Sequence, residues 1–411
     1  MTLRSWILLA ALMGLLVVPF PLAQAASPRS ASGLDGMSGH ALSSSIPTAG
    51  PTTGWSTFLG SPSRSSYSSY PGITSVQTAW ISCFTNQSIR IGPVVAGNEV
   101  IAADNLGHIF ALNNSENGTL LWGQNLDTLV TELDVAGSTL LVGDSFGSLY
   151  ALSTTSGAEE WTQRLNGGIV QAPLDLNGTA YVGTTTGDIV ALNVTTGAIR
   201  WTTSLGAGIG GALAEANGTL LAVTSTGTIE ALSLTGQTQW TVSTGASVVT
   251  ALSVGEGMVL AGTLARTVQA YALTNGSSLW SFGIPSPNRT ASEVRSTPAL
   301  GDGLVVVQTP NGDVWALNAS NGLLQWNDSF PEYGGVNVAG PVVTPSAIYA
   351  IDSGDGTLFG LSPANGSVLW TSGIGSADTS NAFPAIDQGD ILLGTELGCV
   401  AEYSSAVPAF T

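Results

Sequence analysis

The chain has 411 residues, only 9% of them charged, and a formal net charge of −18 carried against nine arginines and no lysine. An acidic chain without a basic patch excludes nucleic-acid binding, and so little charge leaves Ser, Thr, Asn and Gly to solvate the surface. Two histidines, His40 and His108, are too few for a histidine metal cluster, and no G-x-S-x-G elbow with a partner histidine is present.

In chain order, Arg4 precedes an apolar run from Trp6 to Val18, and Ala23-Gln24-Ala25 offers an A-x-A cleavage site. Residues 1–25 read as a secretory signal peptide. The run is short for a bilayer span, so a membrane is met only if the signal stays uncleaved. Residues 26–54, rich in Ser, Pro and Gly, read as a flexible linker. The expected location is secreted or extracytoplasmic, at the cell surface or in a periplasm.

From residue 55 the chain repeats. The skeleton G-x-(Ile/Val/Leu)-x-A-L, a short spacer, Gly, three residues, Trp is seen in Gly187–Trp201. Related starts lie at Gly107, Gly147, Gly227, Gly312 and Gly356, and at Arg266 in worn form; Gly107, Gly147, Gly187 and Gly227 follow one another at 40 residues. The repeat tryptophans are Trp122, Trp161, Trp201, Trp240, Trp280, Trp326 and Trp370. Trp80 lacks its own upstream half, and Gly398 lacks its downstream Trp half, so the two ends complement one another. Within the second unit four strands are expected, Leu133–Val135, Thr139–Gly143, Ser148–Leu152 and Glu159–Gln163, separated by Gly turns. Four strands in about 40–45 residues is the arithmetic of a propeller blade. The expected fold is all-β: an eight-bladed β-propeller of four-stranded antiparallel blades over residues 55–403, closed by joining the N- and C-terminal strands in one blade, with a tail over 404–411. Apolar runs such as Ile189–Leu192 predict blades buried on both faces. The repeat tryptophans and Trp315 are expected to pack, not to bind ligand.

The A-L-spacer-G-x-x-x-W pattern with a four-strand period resembles the repeats of pyrroloquinoline-quinone (PQQ) dehydrogenase-like propellers. The opening segment, with Trp55, Phe58 and Arg64, resembles the start of the same superfamily. The resemblance spans residues 55–403. It implies the eight-bladed fold but not an enzyme, because the superfamily also holds non-catalytic scaffolds such as the barrel-assembly lipoprotein of bacterial outer membranes. The enzyme branch uses adjacent cysteines in a vicinal disulfide, calcium ligands and a catalytic Asp, and its fused forms a C-x-x-C-H haem site. Here the only cysteines, Cys83 and Cys399, lie 316 positions apart, and no C-x-x-C-H string exists. The resemblance is therefore nearer to the scaffolds. It implies a monomeric exported propeller that presents loops and an axial funnel to a protein or cell-envelope partner, with no cofactor. The alternative is a PQQ-dependent dehydrogenase or quinone binder, with PQQ and calcium.

Four residues are candidates at the funnel: Arg90 and Arg295, at equivalent blade positions, with Glu132 and Asn381 in corresponding regions. Converging arginines could hold an anion; the competing expectation is that they cap strands or pair with nearby carboxylates. Asp352-Ser353-Gly354-Asp355 resembles a calcium loop, yet it occupies the hairpin where Asp104 and Asp144 cap turns, and no metal site is expected. Transferring the repeat register puts Cys399 opposite Ile81 and Cys83 opposite Leu397, diagonal neighbours expected to form a disulfide across the closing blade. The insertion at 285–293 is a place for specific contacts. Eleven N-x-S/T sequons are glycosylation candidates: Asn86, Asn113, Asn117, Asn177, Asn193, Asn217, Asn275, Asn288, Asn318, Asn327 and Asn365. Asn-Gly-Thr and Asn-Gly-Ser are also natural hairpin sequences, which accounts for part of this excess.

Overall fold

Each unit turns back on itself three times because residues that tolerate φ > 0 stand where the chain must reverse. Asn177-Gly178 and Asn217-Gly218 take φ of 52°/76° and 54°/78° between consecutive strands, the two-residue hairpin geometry that Asn-Gly favours. The computed structural model describes residues 55–169, 171–285, 293–329, 339–352, 356–374 and 382–406. They lie in a unit spanning residues 50–411. The signal peptide, the linker up to residue 54, Asn288, Asn381, Ser353–Asp355 and residues 407–411 lie outside the described residues.

Eight four-stranded antiparallel sheets form, seven of them from consecutive strands. Blade 1 is Val94–Ala96, Glu99–Ala103, His108–Asn113 and Thr119–Asn125. Blades 2 to 7 follow in sequence, with innermost strands Val130–Ala136, Leu174–Leu176, Ala214–Ala216, Ser253–Gly255, Ala299–Gly301 and Val342–Val343. Blade 8 takes Ala385–Asp387, Asp390–Gly394 and Cys399–Ser405 from the end of the chain and its outermost strand, Val76–Cys83, from the beginning. The second blade matches its expected strands, with the innermost starting earlier, at Val130, and the others reaching one residue further.

Burial follows position in the blade. The second strand of blade 4, Thr219–Val223, is buried from Leu220 onward, whereas its outermost strand, Thr238–Ser243, alternates exposed with half-buried residues. Burial on both faces thus holds for inner strands only, because the outermost strand diverges from its neighbours at the perimeter. The tryptophan on that strand is the exception to exposure. Its indole N–H donates to a carbonyl in the next blade: Trp122 to Thr154, Trp161 to Val194, Trp201 to Leu234, Trp240 to Leu273, Trp280 to Ala319 and Trp326 to Pro363, at 2.6–3.1 Å. Trp370 donates to Ile73 O at 2.9 Å, and Trp80 to the Asn114 side chain at 3.2 Å, so the latch runs round all eight blades. The spacer glycine lies flat on the indole of the preceding blade; a Cβ at Gly157 would stand 2.5 Å from Trp122 Cε3. A buried aromatic face and one satisfied polar handle are what tryptophan supplies here.

The turn between second and third strands is held from inside. Asp104 Oδ1 accepts from Leu106 N and His108 N, and Asp144 Oδ1 from Phe146 N and Ser148 N, at 2.7–3.1 Å. Thr184, Thr224, Thr263 and Thr395 do the same with a hydroxyl in other blades. Arg266, the worn start of blade 5, still adopts φ 64°. Asp352 stands at this position in blade 7 and is buried. Among the described residues, no three His, Cys, Asp or Glu side chains gather as metal ligands.

The blade-closing register needs a correction. Cys83 lies directly opposite Cys399, not diagonal to it. In a complete repeat the Trp pairs with the fourth residue after the starting Gly, as Trp122 does with Ala111; the same rule pairs Trp80 with Glu402, and three steps further the cysteines face each other. They form a disulfide with Cα atoms 3.9 Å apart. It ties the first strand of the propeller to the last across 316 positions. Protein unfolded without reductant should therefore show no free thiol, and two after reduction. The double variant Cys83→Ser/Cys399→Ser should lose roughly 3–5 kcal/mol of stability by loop-closure entropy, read as a lower denaturation midpoint; unchanged stability would show that the ring closes without the covalent link.

Candidate functional site

The innermost strand of every blade has one neighbour, so its other edge carries unpaired amides. A short Ser- and Pro-rich segment, residues 55–73, meets this need. Its carbonyls accept from the middle of successive innermost strands: Val95 N to Trp55 O, Val135 N to Ser56 O, Glu215 N to Pro62 O, Val254 N to Ser63 O, Leu300 N to Ser65 O and Val343 N to Ser66 O, all at 2.8–2.9 Å. In blade 3 the Asp175 amide goes to the Asp134 carboxylate at 2.7 Å. To follow so tight a circuit, Leu59, Arg64 and Ser66 take φ of 60°, 53° and 49°, each at a cost of order 1 kcal/mol for a non-glycine residue.

Arg64 is the centre of this strap. It is fully buried, and its guanidinium donates to Leu213 O (3.0 Å), Thr57 Oγ1 (2.5 Å), Phe58 O (2.6 Å) and Pro173 O (2.8 Å). It therefore joins blades 3 and 4 to the strap, and it lies 5.7 Å over the Phe58 ring. Burial lowers its pKa to about 10, against the opposing pull of Asp134 and Glu132, so it stays charged at neutral pH. Phe58 and Leu59 pack with Ala172, Ala212 and Ala251, and the Phe383 ring meets Phe58 edge-on at 5.0 Å. The three alanines, Phe383, Gly92 and Thr297 each stand three residues before the middle of an innermost strand, and Glu132 and Gly340 stand three before Val135 and Val343, whose amides meet the strap, so the repeat brings one residue per blade to the axis.

Glu132 is the ionisable member of that ring. The residue is half-buried, but its Oε2 is shut off from solvent with no hydrogen-bond partner among the described residues. Burial raises its pKa to about 8, despite the Gly92 amide and Arg64, which favour the charged form. Asp134 is raised to about 6 by burial, opposed chiefly by Arg64 and by hydrogen bonds from Thr57 and the Asp175 amide.

The other expected site residues are elsewhere. Arg90 is exposed and holds Glu396 through Nε at 3.0 Å and Nη2 at 3.1 Å. Arg295 is 3.6 Å from Glu293. Each arginine is thus engaged by a carboxylate, and neither joins Glu132. Trp315 is buried against Phe282. Several sequon asparagines serve turns: the side-chain oxygens of Asn193, Asn275, Asn318 and Asn365 accept from amides two residues on, and Asn117, Asn177 and Asn217 are left-handed. Asn86, Asn117, Asn177, Asn217, Asn275, Asn327 and Asn365 are exposed, while Asn113, Asn193 and Asn318 are half-buried. Arg64 and Phe383 carry the axis, and neither was singled out as a site residue. The available signal for Arg64 was a lone cation in a Ser/Pro run. Phe383 needed the alignment of pre-strand residues across blades.

A second carboxylate group sits at the closing blade. Asn114 Nδ2 donates to Asp387 Oδ2 at 3.0 Å. Glu402 is raised to about 7, first by burial and also by Asp390 and Asp387, with Asn114 and Trp80 opposing. Asp387 and Asp390 are raised too, mainly by burial. The sign follows from linkage. Each acid binds its proton more tightly folded than unfolded, so stability is complete below the unfolded value near pH ~4 and falls as pH rises through the folded values. The melting temperature should drop between about pH 5 and about pH 8.5, and Glu132→Gln should reduce that drop. A melting temperature that rises over this window would contradict the assignment.

Among the described residues, no helix is long and apolar enough to cross a membrane. No curated protein matches the chain. Solved structures share the fold: BamB from Moraxella catarrhalis at 18% identity and TM-score 0.67, covering 82% of this chain and 99% of that one. Quinohemoprotein alcohol dehydrogenase from Comamonas testosteroni follows at 14% and 0.71, covering 88% and 82%. A europium-containing methanol dehydrogenase matches at 13% and 0.70, covering 84% and 91%. At these identities the likeness is one of fold, and it reaches BamB and alcohol dehydrogenases alike. Family assignment rests on the sequence pattern, where the family model described as outer membrane protein assembly factor BamB matches residues 105–201, 174–293 and 252–405. The chain belongs to that family.

Proposed function

We propose that this protein is a non-catalytic, extracytoplasmic scaffold that binds a protein partner through its loops. The observation that carries this reading is the filled axis. Phe58, Leu59 and Phe383 occupy it against three alanines, and the axial cation, Arg64, spends its donors on Thr57 Oγ1 and three backbone carbonyls. A quinone carrying several carboxylates needs free cationic donors and a flat slot, and the described residues fit neither. The cysteine pair, which in quinone enzymes would be vicinal, joins outer strands instead. Family membership and a disulfide, which persists in oxidising compartments, support the exported scaffold.

The discriminating experiment is a PQQ titration of the purified protein with Ca²⁺ present, followed by tryptophan fluorescence. The scaffold predicts no saturable quenching at micromolar quinone and no dye-linked alcohol oxidation. Saturable quenching with turnover would overturn it in favour of a quinone-dependent dehydrogenase.

A further inference from the structure

The turn between second and third strands sets one residue immediately before the skeleton Gly (Arg266 in blade 5); it is exposed in blades 1 to 5 and 8 and half-buried in blade 6. Blades 3 to 7 carry Thr, Thr, Ala, Asn and Asp there. Blades 8, 1 and 2, which are neighbours, carry Leu397, Leu106 and Phe146 instead, 48%, 40% and 56% exposed. Leu129, in the connection from blade 1 to blade 2, is 42% exposed on the same face. The turns are fastened to one another: Thr85 Oγ1 donates to Asp104 Oδ2 (3.1 Å), Thr128 Oγ1 to Asp144 Oδ2 (3.0 Å) and Ser145 N to Leu129 O (2.9 Å). Four apolar side chains are thus displayed on a stiff arc.

The fold does not ask for them. Thr186 and Thr226 occupy the same turn in blades 3 and 4 with the same backbone bonds, Gly187 N to Thr184 O and Gly227 N to Thr224 O. The outer-strand apolar residues, such as Leu120, Ile199, Leu279 and Leu324, are different: they flank repeat tryptophans in widely separated blades and follow the repeat. Val249, in the connection from blade 4 to blade 5, is also 40% exposed, but only blades 8, 1 and 2 carry large apolar side chains at the turn tip, and adjacent apolar tips at positions that water would otherwise claim mark a contact surface.

We propose that the Leu397–Leu106–Leu129–Phe146 arc docks a net-basic protein segment that presents apolar side chains. This rests on the scaffold reading above and names where and what the scaffold binds. The occupant is chosen by charge. A chain of net charge −18 with no lysine repels a second copy of itself and draws a cationic partner from a distance. Near the arc Arg90 pairs with Glu396 and Arg164 donates to Ser148, while the carboxylates of Asp104 and Asp144 cap the turns themselves. Charge therefore speeds the approach, and the apolar tips hold what arrives.

The test uses the full chain and three synthetic peptides: a Leu/Phe core flanked by Arg and Lys, the same core flanked by Glu, and a basic peptide without the core. The first should bind saturably, with NMR shift changes centred on Leu106, Leu129, Phe146 and Leu397 and association slowed by salt. Leu106→Thr/Phe146→Thr, which installs the residue blades 3 and 4 already carry, should weaken it by about tenfold or more; Leu279→Ser should leave it unchanged. Equal binding to the threonine variant, equal binding of the acidic peptide, no binding of the first peptide, a self-dimer dissolved by the variant, or attachment to anionic vesicles through the arc would each overturn the proposal. Saturable peptide binding mapped to other blades would remove the arc and leave the scaffold standing, whereas saturable quinone binding would remove the scaffold.

Discussion

Closing a circle of repeats is the constraint on which this molecule depends. Each blade buries its faces only against two neighbours, so the first must meet the last, and every innermost strand must find something for its free edge. Two devices answer this. At the perimeter, tryptophans donate to the following blade, and the eighth donation, Trp370 to Ile73 O, crosses the point where the chain ends meet. At the axis, the carbonyls of residues 55–66 take up amides from six innermost strands. The disulfide adds a covalent tie at the outer strands.

The perimeter was legible in the sequence because it repeats. Trp, Gly and the Ala-Leu pair recur at fixed spacing, and the complementary half-units at Trp80 and Gly398 gave both the number of blades and the manner of closure. The cysteine pairing was legible as well, although its register required counting from Trp80 and Glu402 as a repeat does from Trp122 and Ala111. The axis was not legible, because it is where the repeat is broken. Residues 55–73 occur once, and a Ser/Pro run has no periodicity to read. Arg64 is buried for want of any alternative: the strap turns inward there, and carbonyls from three parts of the chain surround it. Glu132 was visible as a funnel candidate, but its raised pKa follows from burial that no local pattern encodes. Arg90 shows the reverse case, an arginine suggestive in sequence that the fold gives to Glu396.

One architecture can host many functions, which reside in sites and not in the fold. Here Phe58, Leu59 and Phe383 make the axis part of the core. With the centre given over to packing, the turn tips are where the repeat tolerates variation. The concentration of Leu397, Leu106 and Phe146 in one sector fits that division.

Amide hydrogen exchange on the intact chain tests the strap most directly. If residues 55–66 complete the ring, the amides of Val95, Val135, Glu215, Val254, Leu300 and Val343 exchange slowly and as one cooperative set, and Arg64→Ala speeds that set together while amides between the second and third strands of the blades stay protected. Rapid exchange at those six amides in the unaltered protein, with the blade interiors still protected, would show that the strap does not close the axis.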